Sequence, residues 1–390
     1  MQEKIPKIKR LLQIEEDYSC FLFGARGSGK TTLINELYQD RAKVFDLLDV
    51  ELESRLQRNP NLLKELVEDL DQATKYVVID EVQKIPKLLN LVHQLIESTD
   101  KFFILTGSSA RKLKRGQANL LAGRAFSYFL HPYTSKELGD SFDLDHALRW
   151  GMLPKVQEFK TEGSKSKFLK TYCQTYLKEE IFAEQFVRAL DPFRHFLELA
   201  AQMNGKILNY SKLAKDIGVD DKTVSKYYSI LEDTLIGFSL KAFKHSFRKQ
   251  LATKPKFYLF DTGVKRSLDN SLTIPLQESS FAYGNAFEHF VILDIIKLAS
   301  YFHDNYRFSY LRTKDGVEVD LVVERPGLPH LFIEIKSSKE VDTSELKNLS
   351  LLATDFGDCE AVCFSRDKLN RQVDDIELVH WQEGLERYFC

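Results

Sequence analysis

The chain has 390 residues, 43% of them hydrophobic and 29% charged, and a net charge of −2. That length predicts about two to three domains, and the composition is that of an ordinary globular chain with enough apolar residues for large cores. The near-neutral balance excludes an all-over basic coat, so any nucleic-acid contact has to come from local patches.

The five cysteines are scattered and form no pair of CxxC units, so zinc is not expected. Their odd number points to reduced thiols and a cytoplasmic location. Residues 1–13 are charged and amphipathic, unlike a signal peptide. No apolar run approaches a membrane span.

Residues 20–23 predict a buried strand. It runs into Gly24, Ala25, Arg26, Gly27, Ser28, Gly29, Lys30 and Thr31, which fit G-x4-G-K-[ST] at every fixed position; Thr32 then opens a helical pattern. Glycines let successive N–H groups turn toward one point, and the helix N-terminus adds positive potential there. Lys30 is expected to reach the β- and γ-phosphates of ATP, and Thr31 to place a hydroxyl on Mg²⁺.

A second strand is expected at 42–49 and a helical stretch at 51–74. Residues 76–79 are apolar and end in Asp80-Glu81, a Walker B pattern suited to the middle of a parallel sheet. Asp80 is expected to hold Mg²⁺ through water, and Glu81 to orient or deprotonate the attacking water. After a helix at 86–97, residues 101–109 repeat the strand pattern. They end in Thr106, Ser108 and Ser109, any of which fits a sensor of the γ-phosphate; Ser108 is the candidate carried forward.

Residues 111–124 carry Arg111, Lys112, Lys114, Arg115 and Arg124 and no acid. Arg124 is a candidate arginine finger, in cis or from a neighbouring subunit. The other four fit a DNA-facing surface or a solvated loop equally well. A short strand at 127–130, a helical region at 135–150, a linker at 163–167 and a helix at 168–184 are expected next.

Residues 211–231 give helix, Gly-containing turn, helix, with Ser211 capping the first and Asp220 or Asp221 the second. In a DNA-reading version Lys222, Thr223, Ser225, Lys226 and Tyr227 face the groove. Strand-like stretches at 236–243 and 256–260 flank a basic segment. Residues 241–256 hold six Lys/Arg and no acid, among them Lys244, Arg248 and Lys249. This is the pattern of a wing gripping phosphates; a winged helix that packs on protein is the alternative.

Toward the C-terminus a helix carries Glu288, and a hairpin at 312–323 carries Asp320. A further strand at 330–336 places Glu334 and Lys336 on one face. Glu288, Asp320 and Glu334 with Lys336 form the D…(D/E)-x-K constellation, able to hold one or two Mg²⁺ ions with the lysine beside a scissile phosphate. A nuclease-shaped module without catalysis carries the same residues.

Taken together, Gly24 to Thr31, the run from Val78 to Pro86, Leu105 to Ala110, Leu121 to Arg124, Tyr258 to Val264, Gly284 to Glu288, and Glu318 to Val323 with Glu334 and Lys336 resemble the bacterial and archaeal AAA-type P-loop ATPases with a DUF4143 C-terminal half. The resemblance implies an α/β fold with an AAA-like parallel sheet at 1–160, a helical linker and winged helix at 161–255, and a restriction-endonuclease-like domain at 256–390. It implies ATP and Mg²⁺ as cofactors and a homo-oligomer, such as a hexameric ring. The expected function is an ATPase acting on duplex or branched DNA. An ATP-gated nuclease and a nucleotide-dependent protein-binding switch are the alternatives.

Overall fold

Ser19–Phe23 (β1) belongs to a five-stranded sheet with Ala42–Asp46 (β2), Tyr76–Asp80 (β3), Phe102–Gly107 (β4) and Ala125–Phe129 (β5), in the order β2-β3-β4-β1-β5 with β4 at its centre. Every pairing in it is parallel. The computed structural model describes residues 8–109, 121, 123–176, 190–244 and 253–390. These divide into two compact units. The first is Met1–Tyr133 with Leu153–Lys155 and Asp233–Ile236, and the second is Thr134–Met152, Val156–Glu232 and Gly237–Cys390.

In the first unit the β3 residues Val77, Val78 and Ile79 are buried on both faces, as a β-branched run in the interior of a parallel sheet should be. Helices α1 (Lys30–Tyr38), α2 (Val50–Arg58), α3 (Leu62–Glu68) and α4 (Leu88–Ser98) accompany the sheet. Leu56, Leu63, Val67, Leu88, Val92 and Leu95 close one core with Val77, Ile79, Phe103 and Leu105. The single helical stretch expected at 51–74 is two helices. Pro60 has no N–H and disfavours helical geometry at Asn59, so the chain breaks there.

The second unit is built on an eight-stranded mixed sheet of order β12-β13-β11-β10-β9-β8-β6-β7. Its strands are Gly237–Ala242 (β6), Lys256–Leu259 (β7), Arg307–Arg312 (β8), Glu318–Glu324 (β9), His330–Lys336 (β10), Cys359–Ser365 (β11), Arg371–Val373 (β12) and Ile376–His380 (β13). The hairpin β6–β7 is antiparallel, and β6 also pairs in parallel with β8. A 22-residue helix, α5 (Phe281–Phe302), is capped by Ser280 and buried along most of its length.

Helices α6 (Tyr210–Ile217) and α7 (Asp221–Asp233) form the expected helix-turn-helix, with Gly218 between them at φ 78°. Asn209 rather than Ser211 caps α6, because the helix begins two residues earlier. Asp220 caps α7 by accepting from Thr223 N at 2.6 Å. The linker expected at 163–167 is part of the helix Glu162–Thr171, whose first turn is capped by Thr161. The helix expected at 168–184 is helical over 168–176, with a π-helical turn at Tyr172–Tyr176, and 177–184 lie outside the described residues.

Candidate functional site

The phosphate-loop pattern forms the strand-loop-helix that its sequence requires. Gly27 at φ 78° and Gly29 at φ 99° take the left-handed turns that bring N–H groups to one side. Gly24 has no room for a side chain: a Cβ there would lie 2.4 Å from Leu130 O and 2.7 Å from Ser28 Oγ. Lys30 is buried and its ammonium donates to Gly24 O at 2.8 Å and Ala25 O at 3.4 Å. Ser28 Oγ is buried and has no hydrogen-bond partner among the described residues.

β3 delivers the two acids beside this loop. Thr31 Oγ1 donates to Asp80 Oδ2 at 3.3 Å, and Thr106 Oγ1 donates to Asp80 Oδ1. Burial raises the Asp80 carboxyl above its ordinary range, with the Thr106 hydrogen bond acting against that. Glu81 sits in the left-handed region at φ 59°, a conformation that costs a non-glycine residue on the order of 1 kcal/mol. Its N–H donates to Thr106 Oγ1 at 3.0 Å.

The three sensor candidates separate by contact. Thr106 serves both acids, Ser108 Oγ donates to Glu81 Oε2 at 3.3 Å, and Ser109 Oγ donates to Asp233 O at 3.1 Å. Gln83, which the sequence reading passed over, is buried and donates from Nε2 to Glu81 Oε2 and, at 3.1 Å, to Ser108 Oγ. Its signal was the polar residue two places after the acid pair in an otherwise apolar stretch.

These residues fit a nucleotide and its Mg²⁺. Left-handed glycines, a buried lysine, an unpartnered buried hydroxyl and a threonine-aspartate pair converge at the carboxyl end of a parallel sheet. Residues 16–139 match the AAA domain family, 141–275 match DUF8612 and 283–383 match DUF4143, both domains of unknown function. The chain carries an AAA domain, which holds the phosphate loop and both acids, and a DUF4143 region toward its C-terminus.

The chain is similar to several uncharacterized proteins. One from Mycobacterium tuberculosis is 28% identical over 85% of this chain and 73% of its own length. Those from Haemophilus influenzae and Methanocaldococcus jannaschii are 21% and 22% identical. They cover 97% and 90% of this chain, and 97% and 82% of their own lengths. The Orc1 protein of Aeropyrum pernix in complex with DNA aligns at 13% identity over 66% of this chain and 87% of that one. Its TM-score of 0.28 is too low for anything about DNA to follow here.

Arg124, the finger candidate, is gripped by Glu97, which accepts from Nε at 2.9 Å and from Nη2 at 2.6 Å. Arg111, Lys112, Lys114 and Arg115 lie outside the described residues.

In the second unit, Lys222 and Lys226 are exposed on α7, and Thr223 and Ser225 are half-buried. Tyr227 does not face outward. It is buried edge-on against Phe193, with ring centroids 5.0 Å apart, because it lies on the apolar stripe of α7. Lys244 is exposed, and Arg248 and Lys249 lie outside the described residues.

The expected metal cage of Glu288, Asp320 and Glu334 does not close. Among the described residues no three His, Cys, Asp or Glu side chains are arranged to hold a metal ion. Protein groups engage one oxygen of each carboxylate, and Glu334 Oε2 is buried with no hydrogen-bond partner among the described residues. Glu288 accepts from Tyr258 OH at 2.9 Å and lies 3.8 Å from Lys256 Nζ, which also pairs with Glu318. Asp320 Oδ2 accepts from Ile335 N at 2.8 Å, and Glu334 pairs with Lys336 at 2.9 Å. Burial, then the Asp320 charge, pushes Glu288 up to about 7 and Glu334 up to about 8; burial raises Asp320 as well. Lys256, which sequence reading counted only as part of the basic segment, is the buried cation of this cluster.

Proposed function

We propose that the protein is a Mg²⁺-dependent ATPase acting on DNA, in which ATP hydrolysis drives remodelling or translocation, with branched or duplex DNA as the substrate. The observation that carries the ATPase half is the convergence of Lys30, Thr31, Asp80 and Glu81 on one sheet edge, with Thr106 bonded to both acids.

In this reading Gly24, Ala25, Arg26, Gly27, Ser28, Gly29, Lys30, Thr31 and Thr32 hold the triphosphate, and Thr31 and Asp80 hold Mg²⁺. The metal supplies charge neutralisation at the β- and γ-oxygens. Glu81 and Ser108 address the attacking water. Arg124 is assigned to a neighbouring subunit's nucleotide in a homo-oligomeric ring.

DNA is assigned to the helix-turn-helix and the hairpin after it, read as a winged helix, with Lys222, Thr223, Lys226, Lys244, Arg248 and Lys249 on phosphates. The exposure of Lys222 and Lys226 supports this. The divisions at 160/161 and 255/256 and a cytoplasmic location belong to the same proposal. The lysine-filled carboxylate cluster favours a C-terminal domain that binds rather than cuts, so no hydrolysis of DNA is derived from it.

The test is ATP turnover by the full chain, with duplex, forked and four-way-junction DNA over a salt series. Lys30→Ala is expected to abolish binding of a fluorescent ATP analogue. Glu81→Gln is expected to keep binding and lose turnover by at least about a hundredfold. Turnover by Glu81→Gln at the wild-type rate refutes the role given to Glu81, and no turnover by the wild-type chain refutes the ATPase assignment. DNA affinity that does not fall with salt refutes the phosphate contacts.

A further inference from the structure

Gln83 does two things that a merely structural glutamine would not. Its Nε2 is committed to the site, donating to Glu81 Oε2 and to Ser108 Oγ. Its Oε1 is buried and has no hydrogen-bond partner among the described residues. A glutamine retained for packing would satisfy both ends of its amide, since a buried carbonyl without a donor costs about 1–3 kcal/mol. The orientation is fixed by chemistry. A carboxylate only accepts, so the amide NH₂ has to face Glu81 and the oxygen has to face away.

Space is kept for this arrangement. A Cβ at residue 107 would lie 2.7 Å from Gln83 Oε1, so a side chain there would push the Gln83 amide out of this position. Glu81 is held at its backbone as well, at φ 59° with its N–H on Thr106.

We infer that Gln83 is the positioning residue of the reaction: with Ser108 it ties up one oxygen of the Glu81 carboxylate and leaves Oε1 as the oxygen presented to the attacking water. This rests on the ATPase reading above. The two donors converge on Oε2 from β4 and from the turn after β3, so the carboxylate plane is set by two elements of the same unit. Fixing an acceptor within a narrow angle is worth one to two orders of magnitude in rate.

The experiment is steady-state and single-turnover ATP hydrolysis by Gln83→Met, which keeps length and removes the donors, and by Ser108→Ala, which removes one. Gln83→Met is expected to lower kcat roughly tenfold or more with KM and ATP-analogue affinity within about twofold. Ser108→Ala is expected to lower kcat by a smaller factor. On a Glu81→Gln background, Gln83→Met is expected to add nothing, because its effect passes through the Glu81 carboxylate.

Wild-type kcat in Gln83→Met overturns the inference. So does an undiminished further loss in the double variant, or a fall in nucleotide affinity equal to the fall in kcat. Should Gln83→Met not fold, Ser108→Ala with unchanged kcat overturns it alone. If the wild-type chain hydrolyses no ATP, the failure belongs to the ATPase reading; if it does and the variants match it, the failure belongs to Gln83.

Discussion

Lys256 is 3% exposed, pairs with Glu318, lies 3.8 Å from Glu288 Oε1 and sits 5.2 Å from the centroid of the Tyr310 ring. Replacing it with methionine keeps the volume and removes the cation. A buried pair broken on one side leaves an uncompensated charge, at a cost of about 3–5 kcal/mol.

That cost depends on pH, and the direction follows from the acids. Burial raises Glu288 from 4.5 to about 7, so the folded chain keeps a proton there that the unfolded chain has released. Stability attributable to Glu288 therefore falls as pH rises from about 4.5 toward 7. Lys256 is itself raised above 10.5, so its contribution is fully present across this range in the wild type. Without it Glu288 climbs further. At pH 5.5 Glu288 is protonated and tolerates the loss, whereas at pH 8 it has to ionise without its cation or hold a proton against the solution.

The chain's two tryptophans are Trp150 and Trp381, and both belong to the second unit, so tryptophan fluorescence follows that unit's unfolding. Urea and thermal unfolding of the full chain should show Lys256→Met destabilised by about 3–5 kcal/mol at pH 8, or roughly 10 °C, and by clearly less at pH 5.5. Equal losses at the two pH values, or a larger one at pH 5.5, would refute the assignment of Lys256 as the cation of the cluster.

Two further outcomes are expected. Thr106→Val removes the hydroxyl that donates to Asp80 and accepts from Glu81 N. It should cost about 2–3 kcal/mol in the first unit's thermal unfolding, followed by circular dichroism, and lower ATP turnover by at least about tenfold. Gly151→Ala sets a Cβ 2.0 Å from Asp261 Oδ1 at φ +79°, where Asp261 accepts from Met152 N at 2.7 Å. It should cost more than about 3 kcal/mol by tryptophan fluorescence, because neither backbone nor carboxylate can give way.

The legible parts of this chain were those whose chemistry is local. A glycine loop between a strand and a helix is written in adjacent residues, and so are four apolar residues before Asp80-Glu81, which is why both motifs were placed within a residue. The helix-turn-helix was legible through Gly218 and the apolar spacing of Leu213, Ala214, Ile217, Val224 and Leu231. Polar spacing misled at 163–167, where Gly163, Ser164 and Ser166 look like a linker but a Thr161 cap and the buried Leu169 hold a helix. Tyr227 misled for the converse reason: an aromatic residue between lysines looked like a reader of bases but packs inward. Partners far apart in the chain were not legible at all. Gln83 meets Ser108 across 25 positions, and Lys256 meets Glu318 across two helices and a strand.

The same long-range pairing decides what the C-terminal constellation can do. D…(D/E)-x-K is a statement about spacing along strands, and the structure honours that spacing: Asp320 on β9 meets the backbone of Ile335, between Glu334 and Lys336 on β10. What the pattern leaves out is β7. That strand opens with Lys256 and continues through Tyr258, and both residues reach Glu288 on α5. Its first residues are also tied to the approach to α6, through the Ile207–Lys256 bridge and the 2.9 Å bond from Leu208 N to Pro255 O. Lys256 thus pairs its backbone with the segment before α6 and supplies a cation to Glu288 and Glu318 through its side chain. Among the described residues Glu288 anchors β7 to α5, while Glu334 Oε2 is buried without a hydrogen-bond partner.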